Sequence, residues 1–177
     1  KVGKRPTIAE TIAHYRQHRI GLVMFTVDTE TQIGNRRIPN DEIADAARDN
    51  ADIMIAFASI DPHKGRLGAR EAEELIKGGI VKGFKFHPTC QGFYPNDRMA
   101  YQLYEVIAHH KLPAIFHTGH SGIGTGMRGG GGMRLKYSQP IHIDDVAVDF
   151  PDMTIVLAHP SWPWTDEALS MALHKPN

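Results

Sequence analysis

The 177-residue sequence contains one cysteine, Cys90. No intrachain disulfide can form, which suits a reducing, cytoplasmic compartment. No apolar run approaches the roughly 20 residues of a membrane-spanning helix, and no secretory signal is visible. Excess charge is lacking too: twenty basic residues balance twenty acidic ones, which argues against nucleic acid or an anionic membrane as partner. There is no G-x-S-x-G elbow and no cysteine pair, so nucleophilic catalysis by serine or cysteine has no support. The sequence opens at Lys1 without an initiator methionine, and we expect further sequence ahead of it.

What the sequence has in excess is histidine, eleven in all. Three of them end apolar runs: Gly83-Phe84-Lys85-Phe86-His87-Pro88, Ala114-Ile115-Phe116-His117-Thr118-Gly119 and Ile155-Val156-Leu157-Ala158-His159-Pro160. Each run reads as a short buried strand that delivers a metal-binding or proton-transferring side chain and then turns at once.

Helical stripes lie between the runs. Thr7 is placed to cap a helix in which Ile8, Ile12, Tyr15 and Arg19 share a face, with Gly21 as its stop. A strand over 22–27 ends in Asp28, and a polar excursion over 29–39 leads to Asn40, the expected cap of a helix over 41–49. Strands over 53–58 and 81–87 flank a helix carrying Leu67, Leu75 and Ile76, stopped by Gly78-Gly79. After a loop over 89–95 comes a helix with Met99, Leu103, Val106, Ile107 and His110 on its buried stripe. A strand over 112–117, a glycine-rich loop over 119–139, a helix over 143–150, a strand over 154–159 and a helix over 165–174 complete the chain.

Strands alternating with helices mean parallel strands joined by right-handed crossovers. Asp28, Asp61, His87, His117 and His159 all fall at or just past strand C-termini, where a (β/α)8 barrel places its chemistry. A doubly wound sheet would instead gather its ligand at one switch point. A complete barrel takes about 250 residues. We therefore read residues 1–177 as a single partial domain of the α/β, TIM-barrel type, with about five parallel strands and with strand one and the last strands absent.

His117 and His159 are the sharpest pair. Neighbouring strands about 4.8 Å apart would let the two imidazoles share a metal or a metal-bound water, and alternation sets Ile115 with His117 and Leu157 with His159 on one face. Either could instead be a core histidine bonded to a backbone carbonyl. Lys85 shares a face with His87, one layer deeper. It could serve as a general acid, a bridging carbamate or a carboxylate anchor, or form an ion pair with Asp61. The loop over 121–132 carries G-x-G-x-x-G at 124, 126 and 129 but no helix pattern follows it. We read it as a mobile lid from which Arg128, with Arg134 and Lys136, meets an anionic substrate. Trp162 and Trp164 offer aromatic walls. His14 and His18, four apart, fit an exposed helix face, and His109-His110 suits the negative end of a helix dipole.

The segments GFKFHP (83–88), FHTG (116–119), IDDVAVDFP (143–151) and VLAHPSWPW (156–164) resemble the amidohydrolase-related metal-dependent hydrolases. The resemblance is to the branch with aminocarboxymuconate-semialdehyde and resorcylate-type decarboxylases, from about residue 20 onward. It implies a (β/α)8 barrel with a divalent metal, zinc first and manganese second. Such a metal is held by an H-x-H pair on strand one, a histidine on strand five and an aspartate on strand eight, while a strand-six histidine works on the bound water or the substrate. His117 matches the strand-five ligand and His159 the strand-six histidine. The H-x-H pair and the last aspartate have no counterpart here, and we expect them in sequence beyond these residues.

The expected function is a metal-dependent hydrolase or decarboxylase acting on a small carboxylated aromatic or unsaturated substrate, through a metal-activated water or a metal-polarised carbonyl. His117 is the expected metal ligand, His159 and Lys85 the catalytic residues, and His87, Arg128 and Trp162 the substrate contacts. The expected setting is a cytoplasmic homo-oligomer with a small-molecule substrate and neither nucleic acid nor membrane as partner. Alternatives are an amidohydrolase acting on an amide or β-keto thioester, a non-catalytic nucleotide-binding module using the glycine loop, and an inactive barrel fragment within a larger assembly.

Overall fold

A computed structural model describes residues 6–177. The apolar runs form β1 (Leu22–Met24), β2 (Met54–Ala58), β3 (Val81–Phe86), β4 (Ala114–His117) and β5 (Ile155–Ala158). All pair in parallel, in the order β1-β2-β3-β4-β5. The order never reverses, so the sheet has no switch point of the doubly wound kind. Helix α1 (Ile8–Gln17) precedes the sheet, and α2 (Glu30–Ile33) and α3 (Asn40–Asp49) join β1 to β2. The next crossovers are α4 (Gly65–Lys77), then α5 (Pro88–Gln91) with α6 (Arg98–His109), then α7 (His142–Asp149); α8 (Thr165–His174) follows β5.

Strand register divides the sheet into two faces. Phe84 is level with Ala114, Phe86 with Phe116, and Phe116 with Leu157. This row faces the helices: the Phe86 and Phe116 rings stack at 5.1 Å, and Tyr104 of α6 meets them edge-on at 5.4 and 5.7 Å. Each such buried side chain contributes roughly 1.5–3 kcal/mol through removal from water. The alternate row, with Val23 level with Ile55 and Lys85 with Ile115 and Val156, lines the other face. That face is less covered, with Val23, Ile55 and Val156 between 40% and 48% exposed.

Local sequence determines most element ends. Thr7 caps α1 as expected: its hydroxyl accepts the Glu10 N–H while the Glu10 carboxylate accepts the Thr7 N–H. The helix stops at Gln17, so Arg19, with φ 55°, lies beyond the stripe predicted to include it. The strand expected over 22–27 keeps its ladder only through Met24, its last residue paired with β2, after which the chain leaves into the excursion. That excursion contains α2, and the loop expected over 89–95 begins with α5.

Asn40 does not cap α3. It is the helix's first residue, and its side chain binds the Ser59 backbone, donating to the carbonyl at 3.0 Å and accepting the N–H at 2.9 Å. His110 is not in the buried stripe of α6; it sits at the helix end against Glu73 at 2.8 Å. No helix among the described residues is long and apolar enough to cross a membrane.

Candidate active site

The inner row of the sheet leads to four side chains at the C-terminal ends of β3, β4 and β5. Lys85 is inside β3, His87 follows it, His117 ends β4 and His159 follows β5. The His87 and His117 rings lie face to face, 3.9 Å apart and 10° from parallel. The His159 ring meets His117 edge-on at 4.9 Å.

His159 reaches this position by a route that alternation does not predict. His117 is level with Ala158, which puts Leu157 beside Phe116 on the helix face rather than with His117. Alternation would send His159 after Leu157, away from the site. Instead its backbone turns into the left-handed region, φ 75°, and swings the ring onto His117. Such a conformation costs a non-glycine residue roughly 1–3 kcal/mol and collects at functional sites.

The following turn holds His159 in place. Buried Ser161, also left-handed at φ 62°, shares a 2.7 Å hydrogen bond with Thr118, whose hydroxyl donates to the Ala158 carbonyl at 2.8 Å. Gly119 fits against this turn because it has no side chain. At φ 84°, a Cβ there would come within 2.5 Å of the Ser161 carbonyl carbon. His120 donates its N–H to the Trp162 carbonyl at 2.7 Å, so both strand ends and their loops are laced together.

Hydrogen bonds define which histidine nitrogens are free. His117 Nε2 is 3.2 Å from the His120 carbonyl. A carbonyl only accepts, so Nε2 carries the proton and Nδ1 keeps its lone pair. The Cys90 N–H points at His87 Nδ1 at 3.4 Å. Burial, reinforced by the neighbouring imidazole and Lys85, pushes His87 down to about 3; burial, then Lys85 and His159, pushes His117 down to about 4. Both are neutral near pH 7, as a metal ligand or a hydrogen-bonded wall requires.

Lys85 is the electrostatic anomaly. It is 4% exposed, and among the described residues its ammonium has no carboxylate partner; it lies over the Phe25 ring, 5.3 Å from the ring centre. Desolvation brings it down to about 8. The acids that could have paired with it are engaged elsewhere. Buried Asp28 holds Lys64 at 2.6 Å and Arg37 at 3.4 Å and accepts the Asp61 N–H. Buried Asp61 accepts from the His63 ring and from the N–H groups of His63 and Thr31. The Lys85–Asp61 pair considered from sequence therefore does not form. Asp28 and Asp61, though at strand ends, tie down the excursion rather than face the histidines.

Of the remaining candidates, Trp162 stands at the rim, 65% exposed and 5.5 Å edge-on to His120. Arg128 is exposed on the glycine-rich loop, apart from the histidine cluster. Gly129, Gly130 and Gly131 wind left-handed there, so no α-helix opens at the G-x-G-x-x-G residues and no phosphate cradle of that kind exists. His14 of α1 and His18, just past its end, are both exposed, with rings 4.6 Å apart. Sequence reasoning missed Phe25, Cys90, Gln91 and the His120 carbonyl. Alternation from Val23 could have flagged Phe25, whereas the others act through backbone geometry that leaves no pattern.

The sequence model of the family described as Amidohydrolase matches residues 9–177. The chain belongs to the amidohydrolase family. Among solved structures, the chain is similar to an uncharacterized TIM-barrel protein from Bordetella bronchiseptica at 23% identity and a TM-score of 0.75, over 97% of this chain and 57% of that one. It is similar to 5-carboxyvanillate decarboxylase from Sphingomonas paucimobilis at 20% identity and a TM-score of 0.64, over 96% of this chain and 58% of that one. The third is 5-carboxyvanillate decarboxylase from Novosphingobium aromaticivorans, solved with manganese and 4-hydroxy-3-methoxy-5-nitrobenzoic acid. Here identity is 19% and the TM-score 0.57, over 76% of this chain and 40% of that one.

No curated protein matches the chain. The five sequential parallel strands are thus part of a TIM barrel, and the chain spans about half the length of these structures. Among its described residues no group of three or more His, Cys, Asp or Glu is arranged to hold a metal ion. His117, with Nδ1 free and Nε2–H on a backbone carbonyl, has the donor arrangement of a metal-binding histidine and can supply one ligand.

Proposed function

We propose that the protein is a metal-dependent amidohydrolase that hydrolyses or decarboxylates a small carboxylated aromatic or unsaturated compound. The observation that carries this reading is Lys85, a buried side chain whose ammonium has no anion of its own among the described residues, one layer below the ends of the strands that carry His117 and His159. Burying an unpaired charge is costly, and a substrate carboxylate would supply the missing counter-charge. The two decarboxylases act on a carboxylated aromatic, and one was solved with manganese and a nitrobenzoic acid, in keeping with the same substrate class here.

In this reading His117 gives Nδ1 to a divalent cation, zinc or manganese, whose other ligands are not among the described residues. When bound, such an ion supplies Lewis acidity, polarising a carbonyl or acidifying a water. Lys85 holds the carboxylate in a site from which most water is excluded, where the attraction is stronger than in bulk solvent. Phe25 and Trp162 flank the planar part of the substrate, and His87 closes the wall behind His117. Arg128 meets the anion as it enters past the loop. His159, beside His117 yet open to solvent, gives a proton to the reacting atom or takes one from it. A single buried cysteine suits a cytoplasmic setting, and the exposed apolar residues Val148, Leu169 and Leu173 offer surface for a homo-oligomer.

The test is His159→Ala in the intact protein, assayed on 5-carboxyvanillate and related aromatic acids. Turnover should vanish while zinc or manganese content stays near one per site. Loss of metal in that variant would make His159 a ligand and end its role as proton handler. Carbon dioxide release separates decarboxylation from hydrolysis. A wild-type protein that takes up neither metal would sink the whole reading.

A further inference from the structure

The side chain of Gln91 is wholly buried, and its amide is fully used. Oε1 accepts the His87 N–H at 2.8 Å, and Nε2 donates to the carbonyls of Asp28 at 3.0 Å and Ile60 at 3.3 Å. An amide offers one carbonyl and two N–H donors, and each finds a backbone partner here. Those partners lie just beyond the last residues of β1, β2 and β3, Met24, Ala58 and Phe86. Gln91 therefore joins three strand ends at the level where the sheet's own ladder has stopped.

The residue it holds is the one that touches His117. The His87 ring is steadied by the Cys90 N–H at Nδ1, and its face covers the His117 face at 3.9 Å and 10°. Rotation of an imidazole about its Cβ–Cγ bond is otherwise soft, but here turning His117 would drive its edge into the His87 ring. The Nε2 contact to the His120 carbonyl stops the ring from flipping end for end. His117 is thus held in plane by one neighbour and in sense by another.

We propose that Gln91 and His87 are positioning residues for His117. The Gln91 amide fixes the backbone of His87, and the His87 ring fixes the plane in which His117 presents Nδ1. Neither touches the reacting atoms. The value of this to catalysis rests on the reading of His117 as a metal ligand; the positioning itself does not.

The experiment is long-range proton–nitrogen NMR of histidine-labelled protein kept metal-free with a chelator, followed by titration with cobalt(II). In the wild type, His117 should show one protonated and one bare ring nitrogen, with its ring protons displaced upfield by the His87 ring. Gln91→Met and His87→Leu should lose most of that displacement, while the His120 carbonyl keeps the two nitrogens distinct. His87→Phe keeps an aromatic face and should restore the displacement. Cobalt(II) affinity should fall about 10–100-fold in the first two variants, as for other groups that orient a metal-binding histidine.

Wild-type His117 signals in both Gln91→Met and His87→Leu would overturn the proposal. Should Gln91→Met not fold, the other pair decides: identical His117 spectra in His87→Leu and His87→Phe overturn it, and restoration by phenylalanine alone upholds it. A wild-type protein that binds no cobalt(II) would overturn the metal reading, while the metal-free spectra still decide the positioning.

Discussion

Lys85→Met removes an ammonium that has no anion beside it among the described residues and keeps an unbranched side chain of similar length. In the folded protein Lys85 falls from its ordinary 10.5 to about 8 because burial disfavours its charge. At 1.36 kcal/mol per pKa unit, that difference corresponds to about 3 kcal/mol. The sign follows from proton counting. Below pH 8 both folded and unfolded chains carry the proton, and only the folded one bears the cost of a buried charge. Between about 8 and 10.5 the folded chain sheds its proton while the unfolded chain keeps it, so wild-type stability from this group rises with pH.

Lys85→Met should therefore stabilise the protein by up to about 3 kcal/mol near neutral pH, an increase in Tm of roughly 6–12 °C for a chain of this size. The gain should fade as pH approaches 10.5. Thermal unfolding of both proteins at about pH 7 and about pH 10 measures it. The same variant should lose at least about tenfold in kcat/KM on a carboxylated substrate, the trade expected where a site keeps a costly group for its ligand. An unchanged or lowered Tm at neutral pH, or a difference that does not vary with pH, would refute the reasoning, because it would mean that the ammonium already has a counter-charge.

Gly119→Ala should destabilise by at least about 2 kcal/mol, from the left-handed backbone and the backbone contact at 2.5 Å. Gly122→Ala, with open space around it, should change stability by less than about 0.5 kcal/mol; urea midpoints compare the two. His159→Gly should be more stable than His159→Ala by about 1 kcal/mol, since only glycine adopts φ 75° freely, and equal denaturation curves would show that the turn relaxes without strain. Cys90 is 1% exposed and pushed up to about 11 by burial, so iodoacetamide should leave it unmodified in the native protein and label it rapidly on unfolding, as read by mass spectrometry.

Much of the scaffold is legible in the chain itself. The apolar runs ending in His87, His117 and His159, and the amphipathic stripes between them, are local patterns, and local patterns follow from backbone geometry of period two or 3.6. They suffice for five parallel strands, their sequential crossovers, the strand-end position of the three histidines and the Thr7 cap. Lys85 and His87 share the inner row for the same reason.

What tertiary structure alone decided concerns register and pairing between distant segments. The strand-end aspartates Asp28 and Asp61 look like active-site acids in the sequence, yet Lys64, Arg37 and His63 arrive from other loops to engage them. Lys85 is left without an acid by that same arrangement. His159 joins His117 against the alternation of its own strand, through a left-handed turn braced by Ser161, Thr118 and Gly119. The amino-acid sequence by itself determined that three histidines stand at neighbouring strand ends. Which of them touch, which nitrogen is free and which charge is unpaired were settled only by packing, because they depend on contacts between groups as much as 63 residues apart, as between the Gln91 side-chain amide and the Asp28 carbonyl.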